Sequence, residues 1–128
     1  MATGAFFPKD VVEWMKELPL FHEDEHAIYV HAGLPFEGGR WLHPSEVNGP
    51  RPLLWQRSRT FYQSYEGKRV VFGHTPVKRL PQEHSTFSPE DPVDVYLTEC
   101  LAGIDTGAGM GGFLSAIELP ARRVFDSR

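Results

Sequence analysis

The sequence predicts a mixed α/β domain made mostly of strands, with one N-terminal helix. Short runs of β-branched and aromatic residues recur along the chain, and turns containing many of the 12 Gly and 11 Pro separate them. Only one early stretch has the apolar spacing of a helix. At 128 residues the chain is long enough for one domain with its own core, and we predict no second domain in 1–128.

Composition excludes several classes of partner. The formal charge is -4 and the basic residues are scattered, which argues against binding to a nucleic-acid backbone. A single cysteine, Cys100, rules out an internal disulfide and fits a reducing, cytoplasmic setting. No signal-peptide pattern opens the sequence, and no apolar run approaches the roughly 20 residues that a bilayer requires. We therefore expect a cytoplasmic protein with no membrane partner.

The predicted helix lies between Pro8, which suits a first helical turn, and Pro19, which cannot continue one. Its apolar residues fall three or four apart and form one stripe: Val11, Met15 and Leu18. This stripe should pack against a sheet, with Trp14 in the core. Residues 20–26 then alternate imidazoles and carboxylates, including His22 and His26. We favour a solvated turn there over a metal site, because no regular element brings those side chains together.

Two strand-like segments each deliver a histidine into a turn of small residues. Residues 27–30 are followed by His31, and residues 69–72 are followed by Gly73 and His74. A side chain at the end of a buried strand is held rigidly beside a cleft, where a metal ligand or a catalytic base is useful. We expect the two imidazoles to converge on one point. The alternative for each is a structural histidine with its hydrogen bonds satisfied.

The long connection at 32–52 is rich in Gly and Pro, and a segment of this kind usually covers a functional site or is mobile. Trp41 and His43 within it could close over a substrate or pack the loop against the rest of the domain. Arg57 follows the apolar triplet 53–55, which we expect to be buried and to hold the arginine in place. The planar guanidinium suits two oxygens of a phosphate. Residues 61–65 predict a short helix or turn.

The second half predicts further strands. Residues 82–92 are polar and broken by prolines, so they form a surface loop, and 93–97 alternate like a half-buried strand. Residues 102–106 end another strand and deliver Asp105. Residues 107–112 match G-x-G-x-x-G, but 113–119 alternate like a strand. We therefore predict a tight glycine turn. A nucleotide-cofactor site would require 113–119 to be helical. Residues 123–125 predict a last edge strand.

Five motifs occur in a recognisable order: Tyr-Val-His-Ala-Gly at His31, Leu-Leu-Trp-Gln-Arg at Arg57, Val-Phe-Gly-His-Thr-Pro at His74, Ile-Asp-Thr-Gly at Asp105, then Gly-Gly-Phe-Leu-Ser-Ala. Over about residues 8–119 the chain resembles the C-terminal half of the calcineurin-like metallophosphoesterases. The similarity is to the bacterial and phage branch of the PPP-type serine/threonine phosphatases and diadenosine tetraphosphatases.

This resemblance implies a β-sandwich flanked by helices that holds two divalent metals, Mn²⁺ or alternatively Fe or Zn. His31 and His74 would ligate the second metal, and Arg57 would bind the substrate phosphate. Asp105 and the glycine turn would shape the floor of the site. The alternative for Asp105 is that it only caps a neighbouring loop. The implied substrates are a phosphoprotein, a dinucleoside polyphosphate or a small phosphomonoester.

The sequence also departs from the family. The family's first half carries Gly-Asp-x-His-Gly, Gly-Asp-x-x-Asp-Arg-Gly and Gly-Asn-His, whereas this chain has no Gly-Asp pair and its only asparagine is Asn48. The remaining metal ligands are thus missing, and we expect the isolated chain to be weak or inactive. Exposed sheet edges should favour a complementary N-terminal half or self-association. The alternative is an inactive fragment or binding subunit that keeps the fold.

Overall fold

The computed structural model describes residues 6–87 and 90–128 and confirms a mixed α/β fold with more strands than helices. The helices are α1 Lys9–Glu17, α2 Arg51–Trp55 and α3 Arg59–Ser64. The strands are β1 Phe21–Glu23, β2 Ile28–Val30, β3 Phe36–Glu37, β4 Arg40–Trp41, β5 Val70–Phe72, β6 Tyr96–Leu97, β7 Leu101–Gly103, β8 Ser115–Glu118 and β9 Arg123–Asp126. Single turns of 3-10 helix lie at Pro44–Glu46, Val77–Arg79, Gln82–His84 and Ala108–Met110.

The central sheet has five strands in the order β1-β2-β5-β7-β6. Strands β2, β5 and β7 run parallel, and the outer strands β1 and β6 are antiparallel to their neighbours. The hairpins β3-β4 and β8-β9 form two separate two-stranded sheets. Because three neighbouring strands point the same way, the segments that follow them meet at one edge of the sheet, where open α/β sheets place their ligands.

One face of the sheet packs against helices. Ile28, Val70 and Leu101 are aligned across β2, β5 and β7, so their side chains share this face. Leu53 of α2 and Phe61 of α3 belong to the same buried cluster. Helices and sheet therefore enclose the larger part of the core.

The opposite face is covered by the hairpin β8-β9. Val71 and Ala102 alternate with the residues of the first face, and they pack with the partly buried Ile117 and Val124. The expected strand at 113–119 and the expected edge strand at 123–125 are thus confirmed. Since 115–118 form a strand and not a helix, the condition for a nucleotide-cofactor site is not met.

The glycine turn between β7 and β8 is as tight as predicted. Gly107 and Gly111 have φ of 79° and 81°. A Cβ built on Gly112 would lie 2.1 Å from the carbonyl oxygen of Thr106, so no larger residue fits there without moving the backbone. Chain segments on the two sides of the turn are therefore in direct backbone contact.

The expected packing of α1 is wrong. The helix forms as predicted, but it buries none of its residues, and Trp14, Met15 and Leu18 are 59%, 49% and 44% exposed. An amphipathic spacing shows that a helix has an apolar side, but it does not show what that side packs against. None of the helices in the described residues is suited to crossing a bilayer, since even α1 has only 9 residues.

Two further expectations need correction. Residues 20–26 are not all turn, because β1 pairs with β2. Only the segment after β1 turns, and there Asp24 accepts the backbone N–H of His26 and Ala27 at 2.8 and 2.9 Å.

The strand expected at 93–97 is limited to β6, and Asp94 is buried although the alternation placed it in solvent. Within β6 alternation fails because both faces of the sheet are covered, so Tyr96 and Leu97 are both buried, whereas Asp94 lies in the turn before the strand. Residues 88–89 of the expected surface loop lie outside the described residues.

Candidate metal and phosphate site

The two predicted histidines meet at the carboxyl edge of the parallel strands. His31 follows β2 and His74 follows β5, and the backbone N–H of Gly73 donates to the carbonyl of His31 at 2.9 Å. The ring nitrogens His31 Nε2 and His74 Nδ1 lie 3.0 Å apart, and the ring centroids are separated by 4.8 Å. The predicted convergence of the imidazoles is confirmed, and their role as ligands stays a prediction.

The backbone of His74 is strained. Its φ is +65°, in the left-handed region that side-chain-bearing residues rarely adopt, and the N–H of Thr75 donates to the carbonyl of Gly73 at 2.7 Å. A hydrogen bond across one residue with this φ defines a γ-turn of the rare, strained kind. The buried hydrogen bond between Tyr62 Oη and Thr75 Oγ1, 2.9 Å long, holds the turn against α3. Strain of this kind is concentrated at functional sites.

Arg57 reaches the same imidazole from the loop after α2. Its Nε–H donates to His74 Nε2 at 3.0 Å. The expectation that residues 53–55 are buried and hold Arg57 in place is only partly right. Leu53 is buried, but Trp55 is 65% exposed. Trp55 instead lies with its ring near that of His74, at 5.4 Å between centroids and nearly perpendicular. The arginine is thus positioned by one buried residue and by the contacts of its neighbours.

Gln56 fixes the loop that carries Arg57. Its side chain donates to the carbonyl of Leu34 at 3.3 Å and accepts the backbone N–H of Ser58. The loop after β2 must come close for this contact: a Cβ on Gly33, whose φ is 141°, would lie 2.8 Å from Gln56 Nε2. Sequence reasoning missed Gln56, although its place directly before Arg57 was the available signal.

The hydrogen bonds assign the protonation of both rings. Arginine only donates, so His74 Nε2 accepts and a neutral His74 carries its proton on Nδ1. That N–H then donates to His31 Nε2, which must have a free lone pair. Burial lowers the pKa of His74, and the positive charge of Arg57 and the proximity of His31 lower it further, while Asp105 opposes them. His74 is therefore neutral near pH 7, the form that binds metals.

Asp105, which follows β7, caps the glycine turn. Its Oδ1 accepts the backbone N–H of Gly107 at 3.1 Å, and its carbonyl accepts the N–H of Val77 at 2.9 Å. The capping role considered for it from the sequence is what the structure shows. Asp105 and Pro76 also line a pocket of about 400 Å³, which extends along the glycine turn and is lined by neither histidine.

The donors fit a metal ion as part of its ligand set. Two nitrogens bound at right angles to one ion about 2.1 Å away lie about 3 Å apart, and His31 Nε2 and His74 Nδ1 are separated by 3.0 Å. Over 6–87 and 90–128, however, no group of three or more His, Cys, Asp or Glu side chains is placed to hold an ion. The described residues thus offer two candidate ligands here, and a complete site would need more.

The long loop after β2 packs down and does not close over the histidines. Trp41 is partly buried and packs against the core, with its ring 5.5 Å from that of Phe61 and 5.7 Å from that of Tyr65. His43 Nε2 lies 2.8 Å from a carboxylate oxygen of Glu23. Of the two roles left open for these side chains, the structure supports the second, in which they pack the loop against the rest of the domain.

Comparison with known proteins identifies a solved structure with a similar fold. Among solved structures, the chain is similar to the crystal structure of "a putative diadenosine tetraphosphatase", with a TM-score of 0.56 and 17% sequence identity. The similarity covers 94% of this chain and 55% of that chain, so this chain spans little more than half of that protein. At this identity the similarity shows the fold alone. No model of a protein family matches the sequence, and no curated protein matches it.

Proposed function

We propose that this chain forms part of a metal-dependent phosphoesterase site, in which His31 and His74 bind one divalent ion and Arg57 binds the substrate phosphate. One observation carries the proposal: two imidazoles present ring nitrogens 3.0 Å apart, and a guanidinium contacts one of them. The fold similarity to a phosphatase supports it independently.

The chemistry follows from the residue types. Imidazole nitrogen suits Mn²⁺, Fe or Zn, with Mn²⁺ our first choice from the motif resemblance. When bound, such an ion supplies Lewis-acid activation of water and neutralises charge on phosphoryl oxygens. The chain's own residues orient the substrate: the guanidinium of Arg57 can bind two phosphate oxygens at once.

Residues outside this chain would complete the site. Two imidazoles cannot hold two ions, and the similar structure is much longer than this chain. We propose that the remaining ligands come from a complementary segment with the Gly-Asp-x-His-Gly, Gly-Asp-x-x-Asp-Arg-Gly and Gly-Asn-His motifs. A phosphoprotein or a dinucleoside polyphosphate would then be the substrate, the second being the kind named in the description of the similar structure.

A phosphatase assay tests this proposal. The chain is incubated with p-nitrophenyl phosphate and Mn²⁺, alone and mixed with a separately produced complementary segment. We expect little turnover by the chain alone and activity in the mixture. His31→Ala and His74→Ala should abolish that activity, whereas His84→Ala, a matched change at an imidazole outside the site, should retain it. Robust turnover by the chain alone would contradict our account of the missing ligands.

A non-enzymatic binding subunit is the second candidate, and the two-ligand set among the described residues favours it. Metal titration separates the candidates. If the chain is a binding subunit only, His31→Ala and His74→Ala leave metal uptake unchanged and the complementary segment restores no activity.

A further inference from the structure

We propose that Arg57 and a metal ion select opposite tautomers of His74, so that metal binding releases the Arg57 guanidinium and makes it available to phosphate. The metal and phosphate sites would then be thermodynamically coupled through one imidazole. This inference rests on the proposed function, because it takes His31 and His74 as the metal ligands.

In the state without metal, Arg57 Nε–H donates to His74 Nε2 at 3.0 Å, which requires a lone pair on Nε2 and places the ring proton on Nδ1. The protonated Nδ1 then donates to His31 Nε2 at 3.0 Å. The proton on His74 Nδ1 therefore lies in the hydrogen bond between the two nitrogens that would bind the metal. While it stays there, neither nitrogen has a lone pair available to an ion.

In the state with metal, an ion held by both rings would need lone pairs on His31 Nε2 and His74 Nδ1. His31 already has its lone pair, but the proton of His74 must leave Nδ1, and a neutral ring then carries it on Nε2. Nε2–H and Arg57 Nε–H would face each other as two donors, so their hydrogen bond is lost.

Rotation of the imidazole about its Cβ–Cγ bond would not resolve this conflict, because it would put carbon atoms where Nδ1 and Nε2 now face His31 and Arg57. The γ-turn fixes the backbone of His74, with Thr75 N–H bonded to Gly73 and the Thr75 hydroxyl bonded to buried Tyr62. The ring of Trp55 stands nearly perpendicular to that of His74 at 5.4 Å. Movement of a proton is therefore the simpler change, and the exposed side chain of Arg57 is the part free to leave.

The consequence is reciprocal coupling. Once released, Arg57 has its full set of donors for a phosphate, and a phosphate that binds Arg57 frees His74 Nε2 to take up the proton. Each ligand then strengthens the binding of the other by the same factor. The coupling equals the loss of one charge-assisted hydrogen bond, which corresponds to about a tenfold change in affinity.

Zinc titration with histidine NMR tests the inference, since Zn²⁺ is diamagnetic and accepts imidazole. Long-range ¹H–¹⁵N spectra of ¹⁵N-histidine-labelled protein report which ring nitrogen carries the proton. We expect His74 to be protonated on Nδ1 without zinc and on Nε2 with zinc. Arg57→Met, which keeps chain length but removes the donors, should bind zinc about tenfold more tightly. Arg59→Met, at an exposed arginine that contacts Glu83, is the matched control and should not change the affinity.

The second arm adds methylphosphonate as the phosphate probe. It should tighten zinc binding in the wild type and not in Arg57→Met. The inference is overturned if metal-free His74 carries its proton on Nε2, or if Arg57→Met binds zinc no more tightly than the wild type. The tautomer is read on the wild type, so the test stands even if the variant misfolds. If zinc leaves both imidazole spectra unchanged, the proposed metal site fails as well, which separates the two failures.

Discussion

At the scale of single residues, His74 combines the chemistry of the site with its main backbone strain. A left-handed φ costs a side-chain-bearing residue about 1–2 kcal/mol relative to Gly, and His74 adopts a φ of +65° directly after Gly73. A glycine at position 74 would remove the strain, but it would also remove the imidazole that meets His31 and Arg57. The fold therefore retains a less stable backbone to aim this ring.

The strain can be measured by comparing two substitutions at the same position. His74→Gly and His74→Ala both remove the imidazole and its hydrogen bonds, but only alanine keeps the penalty for a positive φ. We expect His74→Gly to have the higher free energy of unfolding, by about 1 kcal/mol, in urea denaturation followed by circular dichroism. A pair of variants with equal stability would show that the γ-turn carries no strain, and both should lose zinc binding at this site.

At the scale of elements, the turn between β7 and β8 connects the site edge of the sheet to the hairpin on its second face. Asp105 caps the turn through Gly107, and Thr106 donates its hydroxyl to the carbonyl of Phe113. Thr106 and Ser115 also share a buried hydrogen bond of 2.8 Å. The close approach of these segments depends on a position without a side chain, Gly112.

Gly112 and Gly109 form a matched pair for testing this turn. A Cβ at Gly112 would lie 2.1 Å from the Thr106 carbonyl oxygen, whereas a Cβ at Gly109 meets nothing within 4 Å. We expect Gly112→Ala to lower the free energy of unfolding by about 2–3 kcal/mol, and Gly109→Ala to change it by less than about 0.5 kcal/mol. Thermal and urea unfolding measure both. Similar losses in the two variants would contradict the close backbone contact.

The sequence carried enough information to predict the elements of the site but not their tertiary contacts. His31 and His74 could be paired because each follows a buried strand, and neighbouring parallel strands end at one edge. Contacts between distant segments leave no local pattern: the bond from Tyr62 to Thr75 spans 13 positions, and the one from Gln56 to Leu34 spans 22. For the same reason the spacing in α1 predicted a helix correctly and its packing wrongly.

At the scale of the whole molecule, one tyrosine hydroxyl connects β6 to α3, and a second closes the segment directly after α3. Tyr96 donates to the carbonyl of Tyr62 at 2.8 Å, and Tyr65 donates to the carbonyl of Lys68 at 2.7 Å. Burial raises the pKa of Tyr65 and of Tyr96 to about 12 in each case, from the usual 10.0, and it also raises the pKa of Tyr62. The folded state thus favours the protonated phenols.

The raised pKa values make stability depend on alkaline pH. In the unfolded chain these phenols lose their protons near pH 10, but in the folded chain Tyr65 and Tyr96 lose theirs only near pH 12. The stabilisation is therefore complete below the unfolded pKa and is lost as pH rises towards the folded value. We expect the free energy of unfolding in urea to fall between about pH 10 and about pH 12, and the ultraviolet signal of ionised tyrosine to appear with unfolding. Tyr65→Phe combined with Tyr96→Phe should lower stability at neutral pH, by about 1 kcal/mol per lost hydrogen bond, while flattening the alkaline decline. A wild-type protein in which these two phenols ionise near pH 10 while it remains folded would contradict their burial.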